Sequence, residues 1–199
     1  MGARMKTATL DTGVLILALD DKPGANDTWV LLQWHRDGRL ELHVSNRVFE
    51  HDTRRMDSAQ VDALRALLGE FDVAIKGAAF RSDFSLLSGG DFLSGGPSVR
   101  TSEEMARFTK LVGKDPAEEY ASSKSLSNKL GDYDALKEHF ASGRNVFITT
   151  DKKHYLDVNR RPRYAEQLGL VILTPAEFVT QSAGLASPPA SLHSRFALP

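Results

Sequence analysis

The chain predicts an α/β fold: a mainly parallel central sheet with helices on both faces. Three observations carry this expectation. Short apolar runs alternate with longer segments that bear helix caps and helical spacing of apolar residues, the pattern of successive β-α-β units. The apolar runs end in acids or hydroxyl residues, as in LDTGV at 10–14 and VFITTD at 146–151. The sequence also shows no internal repeat.

Taken in order, KTATL at 6–10 reads as a first strand with Asp11 at its end, and Gly13 to Leu19 as a helix whose first turn includes Asp11 and Thr12. The loop 22–28 offers Asn26, Asp27 and Thr28 as caps for a helix from Trp29 to Arg36, closed by Asp37-Gly38. RLELHV at 39–44 alternates as a strand does, and Ser45 is a natural N-cap for a helix carrying Val48, Phe49 and Glu50. Asp57-Ser58 caps a further helix to about Leu68, and FDVAI at 71–75 suits a third strand.

Residues 81–98 are rich in Ser and Gly and read as a long loop, uncommon inside a compact domain unless functional. Helices are expected over 102–112 and 115–130, and over DYDALKEHFAS at 132–142, with Gly143 as its C′ stop. A strand at 146–148, a helix at 160–168, and a strand, turn and short helix in LGLVILTPAEFVTQ complete the domain. One domain over 1–180 with an insertion at about 80–130, followed by a flexible tail at 181–199, is the expected organisation.

Bulk properties narrow the function. The 199 residues are 41% hydrophobic and 26% charged, with a net charge of −1. That balance advertises neither nucleic acid nor membrane, although a neutral total can hide a local basic patch. The absence of cysteine excludes disulfides, thiolate metal sites and cysteine nucleophiles. The first apolar run, interrupted by Asp11 and stopped at Asp20, is too short to span a membrane. A cytoplasmic protein is the expectation.

The acids fall where chemistry would need them. Asp11 ends the first strand, Glu50 lies on the helix after the second, Asp132 and Asp134 open the helix before the strand 146–148, and Asp151 follows that strand. In a parallel sheet these positions can meet at the carboxyl edge, where ligands bind. Gathered carboxylates repel one another and raise each other's pKa. Mg²⁺ or Mn²⁺, which prefer carboxylate and water oxygens, removes that cost. Such a metal can activate water and neutralise charge on a phosphate during in-line displacement. Thr149 or Thr150 would orient a ligand or a water. Lys152 and Lys153 would contact phosphates, and Arg160, Arg161 and Arg163 extend the basic cluster.

LDTGVLIL at 10–17, VSNRVFE at 44–50 and DYDALKEHFASGRNVFITTDKKHYL at 132–156 resemble the three acidic blocks of PIN-domain proteins. LGLVILTPAEFV at 168–179 resembles that family's closing strand and helix. The resemblance runs from about residue 7 to 180 and is weakest over 70–130. It implies a PIN-like three-layer α/β/α fold and a Mg²⁺- or Mn²⁺-dependent ribonuclease, either a toxin or an RNA-processing enzyme. It places the family's acids on Asp11, Glu50, Asp132 and Asp151, with Asp134 as the alternative third acid. Thr12 and Thr149 keep hydroxyls where the family often has them, while Gly13 and Thr150 stand where it often has Asn. An antitoxin or a second copy of the chain is the protein partner the resemblance implies, with RNA as substrate.

Each residue also has an ordinary explanation. Asp11 alone suits a strand end or cap, and Glu50 a solvated helix position. Asp132 and Asp134 suit a helix N-terminus, where the dipole favours acids, and Asp151 suits a turn. His139 packs or meets solvent on its helix, and His154 has no zinc-ligand spacing, although it can contact substrate. Trp29 and Trp34 read as core or interface rather than as base-stacking platforms. GGDFLSGG at 89–96 lacks the Gly-Lys-Ser/Thr of a phosphate loop. Two rivals therefore stand beside the nuclease: a PIN-like module that binds RNA or protein without catalysis, and an acid-dependent phosphotransferase or phosphatase. The second is weakened because LDTGV lacks the Asp-x-Asp of an aspartyl-phosphate enzyme.

Overall fold

The computed structural model describes residues 6–45, 49, 52–54, 56–76, 100–113 and 124–182, with the backbone alone at 124–132. Within them lie five strands: β1 (Lys6–Leu10), β2 (Leu40–Ser45), β3 (Ala74–Lys76), β4 (Val146–Ile148) and β5 (Val171–Leu173). Every pairing is parallel, and the order across the sheet is β3-β2-β1-β4-β5. The helices are α1 (Thr12–Leu19), α2 (Ala25–Arg36), α3 (Ser58–Glu70), α4 (Ser102–Val112), α5 (Lys124–Ala141), α6 (Arg160–Leu168) and α7 (Pro175–Gln181).

This strand order decides which helix covers which face. The chain runs outward from β1 through β2 to β3, then returns to the other side of β1 and runs outward again through β4 to β5. Parallel crossovers are right-handed, so the two directions of travel place their helices on opposite faces. Accordingly, α1 packs on α2 and α3, and α2 on β2 and α7; on the other side α4 packs on α5 and α6, and α6 on β5. The result is the expected three-layer α/β/α arrangement.

Period-two alternation assigns the strand side chains. Ala8 and Leu10, Leu40, Leu42 and Val44, Val146 and Ile148, and Leu173 join α1, α2, α3 and α7 in one apolar core. Phe147 and Ile172 point the other way, into a smaller core with Phe108, Tyr133, Leu136, Phe140, Tyr155 and Tyr164. On β1 and β2 the second face is polar instead. Thr9, His43 and Ser45 are buried there, with Thr7 and Glu41 in line with them. Trp29 and Trp34 are both core residues, as expected.

Several boundaries differ from the sequence reading. Helix α2 begins a turn early, at Ala25, because Gly24 takes a left-handed φ of 95° that reverses the chain after Pro23. Asn26, Asp27 and Thr28 thus lie inside the first turn rather than capping it. Ser45 is the last residue of β2, paired with Lys76, and residues 46–48 that would follow it as a cap lie outside the described residues. The third strand is shifted to Ala74–Lys76, since Phe71 closes α3 and Asp72 makes the turn with a φ of 54°, a conformation Asp tolerates.

The largest correction concerns α5. It is one helix from Lys124 to Ala141, so Asp132 and Asp134 are interior helix residues and do not open it. The serines at 125 and 127 and Gly131 lower helix propensity, but each costs only about 1 kcal/mol or less, and tertiary packing overrides it. The N-cap at Asp57 is borne out, with a capping box to Gln60. Phe49 is helical and buried, whereas Val48, Glu50, the 81–98 segment, residues 114–123 and the tail beyond Ser182 lie outside the described residues. Among the described residues no helix is long and apolar enough to cross a membrane.

Phe147 sits at the centre of the second core, fully buried and packed on the His139 and Tyr155 rings at centroid distances of 5.5 and 5.0 Å. Phe147→Ala is expected to lower unfolding free energy by about 3–5 kcal/mol in urea denaturation, through lost burial plus a residual cavity.

Candidate functional site

In a doubly wound sheet the connections leave neighbouring strands in opposite directions at one point, and a crevice opens there above the carboxyl ends. Here that point lies between β1 and β4. The residues that follow the two strands are Asp11 and Thr149-Thr150-Asp151.

They meet through a chain of hydrogen bonds. The Asp11 amide donates to the Ile148 carbonyl at 2.9 Å, extending the β1–β4 ladder past the strand. The Thr149 amide donates to the Leu173 carbonyl at 3.0 Å and so ties the loop to β5. Thr149 Oγ1, fully buried, donates to Asp11 Oδ2 at 2.6 Å and accepts from the Asp151 amide at 3.0 Å. One hydroxyl thus fixes the Asp11 carboxylate and the start of the Asp151 turn together. Thr150 lies beside them. A Cβ added at Gly13 would stand 3.3 Å from Thr150 Oγ1 and 3.8 Å from Asp11 Oδ2. Gly13, rather than the Asn often found there in the resembled family, leaves that hydroxyl its room.

Asp151 is committed to its own loop. Oδ1 accepts the backbone amides of Lys153 at 2.7 Å and His154 at 3.1 Å, an Asx-type turn. Oδ2 lies 2.7 Å from His154 Nδ1, so that nitrogen carries the proton. Partial burial would push the carboxyl pKa up, but the His154 ring and the two amides outweigh it and hold the pKa below the ordinary value. Asp151 is therefore both the turn residue and a charged group at the crevice.

The other expected residues are distributed unevenly. Thr12 is buried in the first turn of α1, with a hydroxyl that has no hydrogen-bond partner. Lys152, Lys153 and Arg160 are exposed around the loop and the start of α6. Arg161 is held by Glu177 of α7 in a two-pronged pair at 2.9 and 3.0 Å, which occupies its guanidinium. Glu50 lies outside the described residues, and Asp132 is placed by its backbone alone. Asp134 is buried on α5, and its charge raises the pKa of Glu138 one turn on.

Glu138 belongs to a buried polar layer that the sequence reading missed. It spans Thr9 of β1, His43 and Ser45 of β2, Asp134, Glu138 and His139 of α5, and Arg144. Arg144 Nη1 donates to Thr9 Oγ1 at 3.0 Å and lies 3.6 Å from Glu138 Oε1. Thr9 Oγ1 is also 2.9 Å from His139 Nδ1. Burial lifts the Glu138 pKa to about 7, while Ser45 and Arg144 pull it back without reaching hydrogen-bond geometry. Burial, reinforced by Arg144 and Arg100, lowers His139 to about 3 and keeps it neutral. Burial and Arg144 lower His43 to about 4, against the pull of Glu41, whose Oε1 is 2.9 Å from its Nε2. The signal was in the sequence: Thr7, Thr9, Glu41, His43 and Ser45 alternate along strands that would be apolar on both faces if ordinarily buried.

Among the described residues no three His, Asp or Glu side chains stand close enough to hold a metal ion. The donors at the crevice, Asp11, Thr149, Thr150 and Asp151, offer oxygens, and the His154 Nδ1 beside them is engaged with Asp151. That chemistry fits a hard divalent cation and not zinc or copper. No protein-family model matches the chain, and no curated protein matches it in sequence.

Two outcomes follow from this geometry. Thr149→Val leaves the Asp11 oxygen and the Asp151 amide without their partner. It should cost about 1–3 kcal/mol by chemical denaturation, while Thr149→Ser retains most of the stability. Glu138 has a folded pKa above its unfolded one, so its contribution to stability is greatest below pH 4.5 and declines as pH rises towards about 7. In chelator, Glu138→Gln should remove a decline on the order of 3 kcal/mol across that window from the stability–pH curve.

Proposed function

We propose that the chain is a metal-dependent endoribonuclease of the PIN-like type, hydrolysing RNA phosphodiester bonds. The observation that carries this reading is the meeting of Asp11 with Thr149 and the Asp151 turn at the switch point between β1 and β4. The carboxyl edge at such a point is where ligands bind in open parallel sheets.

Asp11 would hold the cation from the β1 side, with one oxygen fixed by Thr149. The family resemblance adds Glu50, Asp132 or its alternative Asp134, and Asp151 as the carboxylates that would complete the site. When bound, Mg²⁺ or Mn²⁺ would neutralise charge building on the phosphate and ease deprotonation of the attacking water. Lys152, Lys153 and Arg160 seat the RNA backbone as charges free to move with it. Thr12 and Thr150 keep hydroxyls beside the Asp11 turn. The cytoplasm is the setting for this activity, and an antitoxin or a second copy of the chain is the protein partner the family resemblance adds.

One observation favours a second reading. Both oxygens of Asp151 are already used within its own loop, which suits a PIN-like module that binds RNA or protein without a metal. Calorimetric titration with Mn²⁺ separates the two, since the module shows no saturable heat.

The nuclease reading expects wild-type protein to cut single-stranded RNA with Mg²⁺ or Mn²⁺, with activity lost on chelation. Asp11→Asn should bring cleavage below detection in the same gel assay. Full activity in Asp11→Asn would remove Asp11 from the chemistry and the proposal with it.

A further inference from the structure

Helices α4 and α6 pack side by side on the second layer, and the seam between them opens into two adjoining hollows of about 180 and 260 Å³. Arg160 and Arg163 border the first. Arg107, Lys110 and the same Arg163 border the second. The floor is apolar, with Leu111 common to both hollows and the buried ring of Tyr164 in the first. Among the described residues no carboxylate lines either one.

The charges come in two pairs, one on each helix. Arg107 and Lys110 are three apart on α4, and Arg160 and Arg163 three apart on α6, so each pair shares one helix face. All four are exposed. Arg107 pairs with Glu103, but Lys110, Arg160 and Arg163 form no ion pair with a carboxylate among the described residues. Burial, with Asp157 adding to it, pushes the Tyr164 hydroxyl pKa up, and Arg160 and Arg163 pull it back, so both guanidinium charges and the Asp157 carboxylate act on that ring.

Like charges held together repel, Glu103 and Asp157 offset them only in part, and a bound anion relieves the remaining repulsion. The hollows are shallower than the roughly 300–1,000 Å³ usual for a buried small molecule. A set of cations over an aromatic and aliphatic floor is instead the surface on which single-stranded nucleic acid lies. The Leu156 amide bonds to the Asp151 carbonyl at 3.0 Å, and Asp157 Oδ1 accepts the Arg160 amide at 3.0 Å, so one braced loop links the Asp151 turn to the head of α6.

We propose that the α4–α6 groove binds the phosphodiester backbone of single-stranded RNA, through Lys110, Arg160 and Arg163 with Arg107 beside them. That the bound strand continues into the crevice rests on the nuclease reading, whereas the binding itself does not.

Fluorescence anisotropy of a labelled oligouridylate with the full chain in EDTA tests this without cleavage. Replacing Lys110, Arg160 and Arg163 together by Ala should weaken binding at least about tenfold and reduce the salt-dependence slope by about 2. Arg163→Glu alone should weaken it in the same direction, with the circular dichroism spectrum unchanged. Unaltered affinity and slope in both variants would overturn the proposal. So would polyglutamate binding in the groove with no RNA binding, which would assign the surface to an acidic protein. If wild-type protein binds RNA through these cations yet cuts none, the nuclease reading fails and the groove stands. If it cuts RNA and the triple variant binds and cuts as wild type does, the groove fails and the nuclease stands.

Discussion

The pairing of β1 with β4 is the constraint on which the rest of the structure depends. These strands are made by chain segments more than a hundred residues apart, and their junction is where the sheet changes winding direction. Loops leave it to either side, so polar side chains can occupy the gap. The Thr149–Asp11 bond closes the junction at 2.6 Å. A hydrogen bond to a charged group contributes about 1.5–3 kcal/mol, and it also fixes where one carboxylate oxygen stands. Position and stability are therefore set by the same contact.

The two layers divide the work unequally. The layer containing α1, α2, α3 and α7 is almost wholly apolar, with both Trp rings, Phe71 and Phe178 in one cluster. The other layer combines an aromatic cluster around Phe147 with a buried polar layer beneath α5. Burying Glu138, Arg144 and His139 together is a poor route to stability, because desolvation opposes the attraction between the charges. Proteins tend to break their own packing rules where function needs it. Here the breach lies on the face of β1 and β2 that leads towards the crevice.

The fold was legible because its signals are local. Alternating short strands and capped helices, Asp11 at a strand end and Asp57 at a helix start are written in stretches of a few residues. Boundaries that depend on tertiary packing were not legible. The uninterrupted α5 contradicts what the serines near 125 suggest. The meeting of Asp11 with the Thr149 loop could be expected from topology, but the two-pronged hold of Glu177 on Arg161 could not. Such a pair depends on how α6 and α7 are placed, and no spacing reveals it. The polar layer was half visible, as alternation along β1 and β2, but only three-dimensional packing joins it to Glu138 and Arg144.

The central claim is that a divalent cation sits above the junction of β1 and β4, held by Asp11. Anomalous diffraction from crystals grown with Mn²⁺ tests it most directly. The account predicts a peak within coordination distance of the Asp11 carboxylate, with a carboxylate from α5 among its ligands. A well-ordered Asp11 and Thr149 with no anomalous peak beside them would contradict it.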